Sequence, residues 1–213
     1  MTVLWIAAAI VFAYAVGSIS FAVIFSKIFA NKDVRDFGSG SAGMTNVIRA
    51  IGILPGLLTF VFDALKGFVA CYAAKSWFFP LAFSQDSEWC IYGAYICGAI
   101  CMLGHMFPLF FSFKGGKGVA TSVGIFAVCC PYAIIAGLIV FILCFIISRI
   151  ISLSSLIATV TVFVGVLLWH NDSVMLWPQL LLTAFMCALV FIKHKDNIIR
   201  LSRGEEKKLK AKK

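Results

Sequence analysis

Five apolar stretches, each close to the length needed to cross a bilayer, constrain this chain more than any other feature. They run at about 3–27, 53–74, 89–112, 153–169 and 175–192. A crossing helix takes roughly 20 apolar residues. Inside lipid every backbone N–H and C=O must be satisfied within the protein, so such runs fold as helices. The composition agrees: 62% of the 213 residues are hydrophobic and only 13% are charged, against about a quarter charged in soluble domains. The expected fold class is an all-α integral membrane protein, a single domain over 1–213.

The stretch 118–148 decides the topology. It is long for one span and short for two, and Pro131 lies near its middle. Proline removes a donor and clashes with the preceding turn, so it breaks a helix. With one span here the chain has six. Arg149 and the basic tail then both fall opposite Lys114 and Lys117. Splitting 118–148 into two short helices gives seven. Lys27, Lys32, Arg35, Arg49, Lys114, Lys117, Arg149 and the tail then share one side, with Lys75 outside and Lys66 within a span. The positive-inside tendency selects about seven transmembrane helices, two of them short, with the N-terminus outside and the C-terminus cytoplasmic. The tail 203–213 reads as a solvated anchor beside anionic lipid. The net charge of +9 is spent in these loops, which argues against a nucleic-acid partner.

Eight cysteines occur, none paired as C-x-x-C. Most lie in apolar runs, where cysteine packs as a small hydrophobe. A disulfide framework or metal site is not expected. No Lys or Arg precedes Lys27, so the first run reads as a retained span and not as a cleaved signal.

Three polar patches sit at span ends. The first is Gly38-Ser39-Gly40-Ser41-Ala42-Gly43-Met44-Thr45-Asn46 with Arg49. Its glycines permit left-handed conformations that turn backbone N–H groups toward an anion. Ser39, Ser41, Thr45 and Asn46 can add side-chain bonds, and Arg49 can fork two onto a phosphate. No Gly-Lys-Ser/Thr follows, so it is not a Walker loop. The second is Lys114-Gly115-Gly116-Lys117-Gly118, which opens a helix whose N-terminal N–H groups attract anions; His105 lies upstream near a span end. In the third, His194, Asn197 and Arg200 recur every three residues and share one helix face. A bland alternative stands beside each: a capped flexible loop, a turn with topogenic lysines, and an interfacial helix. Asp63 and Lys66, three apart inside a span, read as a mutually neutralising pair. Ser152, Ser154 and Ser155 are helix caps or ligand contacts.

Together the patches resemble the bacterial acyl-phosphate-dependent glycerol-3-phosphate acyltransferase family, PlsY. The matching pieces are Gly17-Ser18-Ile19, the first patch through Arg49, Gly104-His105-x-Phe107-Pro108 through Thr121, and His194-x-x-Asn197-Ile198-x-Arg200-Leu201-x-x-Gly204-Glu205. Two positions depart: Ser41 stands where the family usually has Asn, and Ser20 where it usually has Pro. The resemblance implies a multi-pass enzyme of the bacterial cytoplasmic membrane whose motifs face the cytoplasm. It would move a fatty acyl group from acyl phosphate to the 1-hydroxyl of glycerol 3-phosphate, giving lysophosphatidic acid for phospholipid synthesis, with no metal or cofactor.

Acyl phosphate is already activated, so positioning, charge neutralisation and removal of one proton are what remain. A His-x4-Asp dyad is absent: His105, His170 and His194 are followed five residues later by Phe110, Met175 and Ile199. The implied chemistry is substrate-assisted, with a phosphate oxygen taking the hydroxyl proton. Ser39, Arg49, Lys117, Ser152, His194 and Asn197 are the expected catalytic set. Gly38, Gly40, Ser41, Thr45, Asn46, His105, Lys114, Gly115, Gly116 and Arg200 are the expected phosphate-binding set. The expected partners are glycerol 3-phosphate, acyl phosphate and membrane lipid. A transporter of organic phosphates would also gather basic groups and broken helices around an anion. It fits less well, because the patches sit at span ends and no repeated half is visible. A non-catalytic membrane scaffold leaves the two Gly-rich basic loops unexplained.

Overall fold

The computed structural model describes residues 1–169 and 176–209; His170, Met175 and the end of the tail, 210–213, lie outside the described residues. Among the described residues there are helices and turns but no strand. The chain divides into two compact units, Met1–Cys129 and Cys130–Lys213.

In the first unit the apolar run expected as one span is broken. Helix α1 covers Thr2–Gly17 and α2 covers Phe21–Ala30, with Ser20 extended between them. A break inside lipid strands a backbone carbonyl unless another group reaches it. Here the Lys66 ammonium donates to the Ile19 carbonyl at 2.8 Å. Lys66 belongs to α4, Ile53–Ala73, which follows the short α3, Met44–Ala50. A π turn, Ala74–Phe78, carries α4 into α5, Phe79–Ala82. The unit closes with α6, Trp89–Met106, and α7, Val119–Cys129.

Glycines let these helices touch backbone to backbone, as small residues do in membranes where lipid supplies no hydrophobic drive for association. A Cβ on Gly17 of α1 would overlap the Cys101 carbonyl of α6, and one on Gly104 of α6 would lie 2.6 Å from the Tyr14 carbonyl oxygen. Gly67 of α4 faces the Thr121 carbonyl of α7 in the same way, and Gly124 of α7 faces the Ala64 carbonyl. These contacts fix α1 on α6 and α4 on α7, which brings the ends of α6 and α7 beside the loop that precedes α3.

The second unit holds α8, Pro131–Ser148; α9, Ile151–Leu168; α10, Leu176–Lys193; and α11, Lys195–Ser202. Arg149, at φ 60°, turns α8 into α9. The two run antiparallel, Gly137 against Val162 and Gly165 against Ala133.

The region 118–148 divides at Pro131 as its proline predicts. Pro131 occupies the first turn of α8, where its missing N–H would have had no helical partner. Only one of the two helices is short. Helix α8 has 18 residues and is apolar enough to cross a membrane, whereas α7 has 11. Among the described residues six stretches reach that length: Thr2–Ala30, Ile53–Ala82, Trp89–Phe111, α8, α9 and α10.

The α4–α7 contact yields a test. Gly124→Ala places a methyl on the Ala64 carbonyl, and overpacking of this kind costs about 1–3 kcal/mol. The variant should unfold at a lower temperature than the parent in the same detergent, as read by a thermal melt. An unchanged melting temperature would contradict the close crossing.

Candidate functional site

The first patch is a loop closed around one side chain. Asn46, on α3 and 3% exposed, donates from Nδ2 to the carbonyls of Val34 and Phe37, both at 2.9 Å, and of Ser41 at 3.1 Å. Its Oδ1 accepts from the Ser39 N–H at 3.2 Å. The loop must bend sharply to surround an amide this way, and Gly38 and Gly40 do so at φ 60° and 67°. A Cβ on Gly38 would overlap the Asn46 amide oxygen. Upstream, Asp33 takes the Arg35 guanidinium side-on, at 2.9 Å from Nε and 2.7 Å from Nη2. The bond from Arg35 and its charge hold the Asp33 carboxyl below the usual range against partial burial.

The second patch adjoins this loop. Arg35 Nη1 donates to the Phe111 carbonyl at 2.7 Å, which ties the two loops upstream of the glycines. At the glycines they meet directly: a Cβ on Gly116 would lie 2.6 Å from the Ala42 carbonyl oxygen. Gly116 also donates its N–H to the His105 carbonyl at 3.2 Å. The buried His105 ring presses Nε2 against Gly116, leaving no room for a side chain there. Gly118, at φ 86°, starts the turn into α7. The residues at the loop surfaces are those able to hold an anion: Ser39 and Lys114 are exposed, Lys117 and Ser41 are half-buried, and Arg49 is exposed on the last turn of α3.

In the second unit the polar groups gather on a carboxylate. Glu206 Oε1 accepts from the Ser152 hydroxyl at 2.9 Å and from Asn197 Nδ2 at 2.8 Å, while Oε2 accepts from Arg200 Nε at 2.7 Å. Burial pushes the Glu206 carboxyl up, but the bonds from Arg200, Asn197 and Ser152 outweigh it and hold the group below the ordinary value. His194 caps the start of α11 and is 3% exposed. Its Nδ1 lies 2.8 Å from the Val190 carbonyl. A ring nitrogen that close to a carbonyl carries the proton, which fixes both tautomer and ring direction.

Residues 7–204 match the family model described as glycerol-3-phosphate acyltransferase. The chain is 36% identical over 200 residues to glycerol-3-phosphate acyltransferase 2 of Bacillus anthracis, covering 94% of this chain and 97% of that protein. It is 39% identical over 198 residues to glycerol-3-phosphate acyltransferase of Listeria monocytogenes serotype 4a strain HCC23, covering 93% of each. The chain belongs to the glycerol-3-phosphate acyltransferase family. Two crystal structures of PlsY (YgiH), an integral membrane glycerol 3-phosphate acyltransferase, share its fold. The glycerol 3-phosphate form superposes with a TM-score of 0.84 at 34% identity, covering 96% of both chains. The lysophosphatidic acid form gives 0.81 at 33%, covering 96% of this chain and 95% of the other.

The acyltransferase places the sequence-derived residues unevenly. Gly38, Ser39, Gly40, Ser41, Lys114, Gly115, Gly116 and Lys117 all lie on the two adjoining loops of the first unit. Asn46 sits beneath them with its amide turned to loop carbonyls, so its part is to shape the loop. His105 likewise lies under the second loop, not at its surface. Thr45 is half-buried on α3. In the second unit Asn197 and Arg200 do share a face, and Ser152 joins them through Glu206. Ser154 and Ser155, by contrast, bond back to the Ile150 and Ile151 carbonyls of their own helix, each at 2.9 Å.

Glu206 is the residue that sequence reading misses. It stands in a lysine-rich tail read as solvated, yet its side chain is 4% exposed. Leu209 further joins the tail to the Arg149 carbonyl at 2.9 Å. The available signal was an acid six residues beyond Arg200, at the end of a polar helix face. Because the folded carboxyl sits below its ordinary value of 4.5, its contribution to stability is complete above that value and is lost as pH falls through the lower folded one. The melting temperature of the acyltransferase should drop as pH is taken below about 4.5. The drop should be smaller in Glu206→Gln, and equal drops in the two proteins would remove this role.

Proposed function

We propose that this acyltransferase moves a fatty acyl group from acyl phosphate to the 1-hydroxyl of glycerol 3-phosphate, releasing phosphate and giving lysophosphatidic acid. The observation that carries the reading is the meeting of two glycine-rich basic loops at Gly116 and Ala42. The side chains of Ser39, Arg49 and Lys117 are the groups there with the chemistry to hold phosphate. Of the backbone N–H groups expected to join them at 38–40 and 115–117, those of Ser39, Gly40 and Gly116 are turned inward, to Asn46 Oδ1 and to the Phe37 and His105 carbonyls. The named relatives support the acceptor, and the lysophosphatidic acid form of PlsY supports the product.

The donor is the one implied by the resemblance to the acyl-phosphate-dependent family, and it sets what the site must do. A mixed anhydride needs no protein nucleophile, so the acceptor oxygen attacks the acyl carbonyl carbon directly and the C–O bond to phosphate breaks. The proton of the attacking hydroxyl passes to a phosphate oxygen. Fixed positive charge and N–H donors stabilise the charge that develops on the oxyanion and the departing phosphate. Ser152, His194 and Asn197, in the second unit, are the other residues proposed for catalysis, with Glu206 orienting the first and last and the Val190 carbonyl orienting the imidazole. The positive-inside pattern of Lys27, Lys32, Arg35, Arg49, Lys114 and Lys117 supports a cytoplasmic position for the loops of the first unit. A transporter of organic phosphates is the weaker reading, since the named relatives are acyltransferases.

Purified protein in detergent, given labelled glycerol 3-phosphate with EDTA present, should form lysophosphatidic acid from palmitoyl phosphate. It should form none from palmitoyl-CoA or palmitoyl-acyl carrier protein. Product from the thioesters alone would overturn the donor assignment. Uptake of glycerol 3-phosphate into proteoliposomes without acylation would favour transport. Arg49→Ala and Lys117→Ala should keep the parent's melt, and Asn197→Ala should melt lower because Glu206 loses one donor. Each should lose about a hundredfold in turnover, the effect of deleting one transition-state donor worth roughly 3 kcal/mol. Near-parental rates in all three would sink the residue assignment.

A further inference from the structure

Asp63 and Lys66 form a salt bridge of 2.8 Å between side chains only 2% exposed. A buried pair of this kind is dearly bought in desolvation, and apolar residues of similar volume often replace one without loss. Lys66 has a reason to be there, because it satisfies the Ile19 carbonyl at the α1–α2 break. If Asp63 served only to neutralise Lys66, its carboxylate would need no second neighbour. It has one: Oδ1 lies 3.6 Å from His105 Nδ1. That is charge-pairing range though longer than a hydrogen bond. The other edge of the same ring, at Nε2, is pressed on Gly116, and the His105 carbonyl accepts the Gly116 N–H.

We propose that Asp63 is a positioning residue for the Lys114–Gly118 loop, acting through His105, and that it sets how tightly a phosphate-bearing substrate is held there. A carboxylate beside Nδ1 favours the proton on that nitrogen and fixes the angle of the ring. The ring is the floor on which Gly116 rests, and Gly116 abuts Ala42 of the first loop. Rotation of the imidazole therefore shifts the second loop against the first. Asp63 touches no substrate in this account. The link to binding rests on the function proposed above, whereas the link to loop position does not.

Two variants that both keep Lys66, and with it the bond to the Ile19 carbonyl, separate this role from simple neutralisation. Asp63→Asn removes the carboxylate charge but keeps an oxygen that can accept from Nδ1. Asp63→Leu removes the acceptor as well, and Asp63→Ala replaces it if the leucine variant does not fold. The acceptor-free variant should raise KM for glycerol 3-phosphate or for acyl phosphate severalfold relative to the asparagine variant, with kcat little changed. Equal KM values in the two variants, parental or raised alike, would overturn the proposal. Hydrogen exchange at the Gly115–Gly118 amides, read by mass spectrometry, tests loop position without any activity. Exchange should be faster in the acceptor-free variant than in the asparagine variant. Identical exchange would refute the positioning role even if catalysis is as proposed, and a silent parent enzyme with the expected exchange difference would refute only the function.

Discussion

The bond from Lys66 to the Ile19 carbonyl is the interaction on which the first unit depends. Water cannot reach a carbonyl freed inside lipid, so α1 and α2 can part company only because a side chain from α4 answers it. That side chain is a cation and needs an anion, hence Asp63. The anion stands beside His105, and His105 lies under the glycine loop. One interruption in one helix thus propagates through a short series of contacts to the surface where phosphate is proposed to bind.

The two glycine loops illustrate a second economy. Neither has regular secondary structure to satisfy its backbone, so each borrows from its surroundings. The first closes on the Asn46 amide; the second leans on the His105 carbonyl, and Arg35 bridges the two through Phe111. The inner residues, Asn46 and His105, meet the backbone's demands. Packing by glycine, at Gly17, Gly67, Gly104 and Gly124, keeps the helices close enough for these links to span.

Much of this was legible in the sequence, and the exceptions are instructive. Apolar run length identified the helices, and Pro131 marked the division between α7 and α8, because both signals are local. The three-residue spacing of His194, Asn197 and Arg200 placed the last two on one face for the same reason. What could not be read was anything that needs the chain to fold back on itself. Asn46 reads as one more polar residue in a polar loop until the loop is seen wrapped around it. Glu206 reads as a charge in a tail until Ser152, 54 positions away in sequence, is found beside it. The break at Ile19 depends on a lysine in another helix, and no pattern within 3–27 announces it. Asp63 and Lys66 were recognisable as a pair from spacing alone; the carbonyl and the imidazole they serve were not.

The position of Glu206 in the chain has a consequence for biosynthesis. The carboxylate that draws together Ser152, Asn197 and Arg200 is translated after all three. While α9, α10 and α11 emerge and insert, their polar groups have no common partner, and the cluster assembles only when the segment beyond Gly204 arrives and folds inward. Completion of this cluster thus requires the segment beyond Gly204, and a chain still lacking it has Ser152, Asn197 and Arg200 without their shared acceptor.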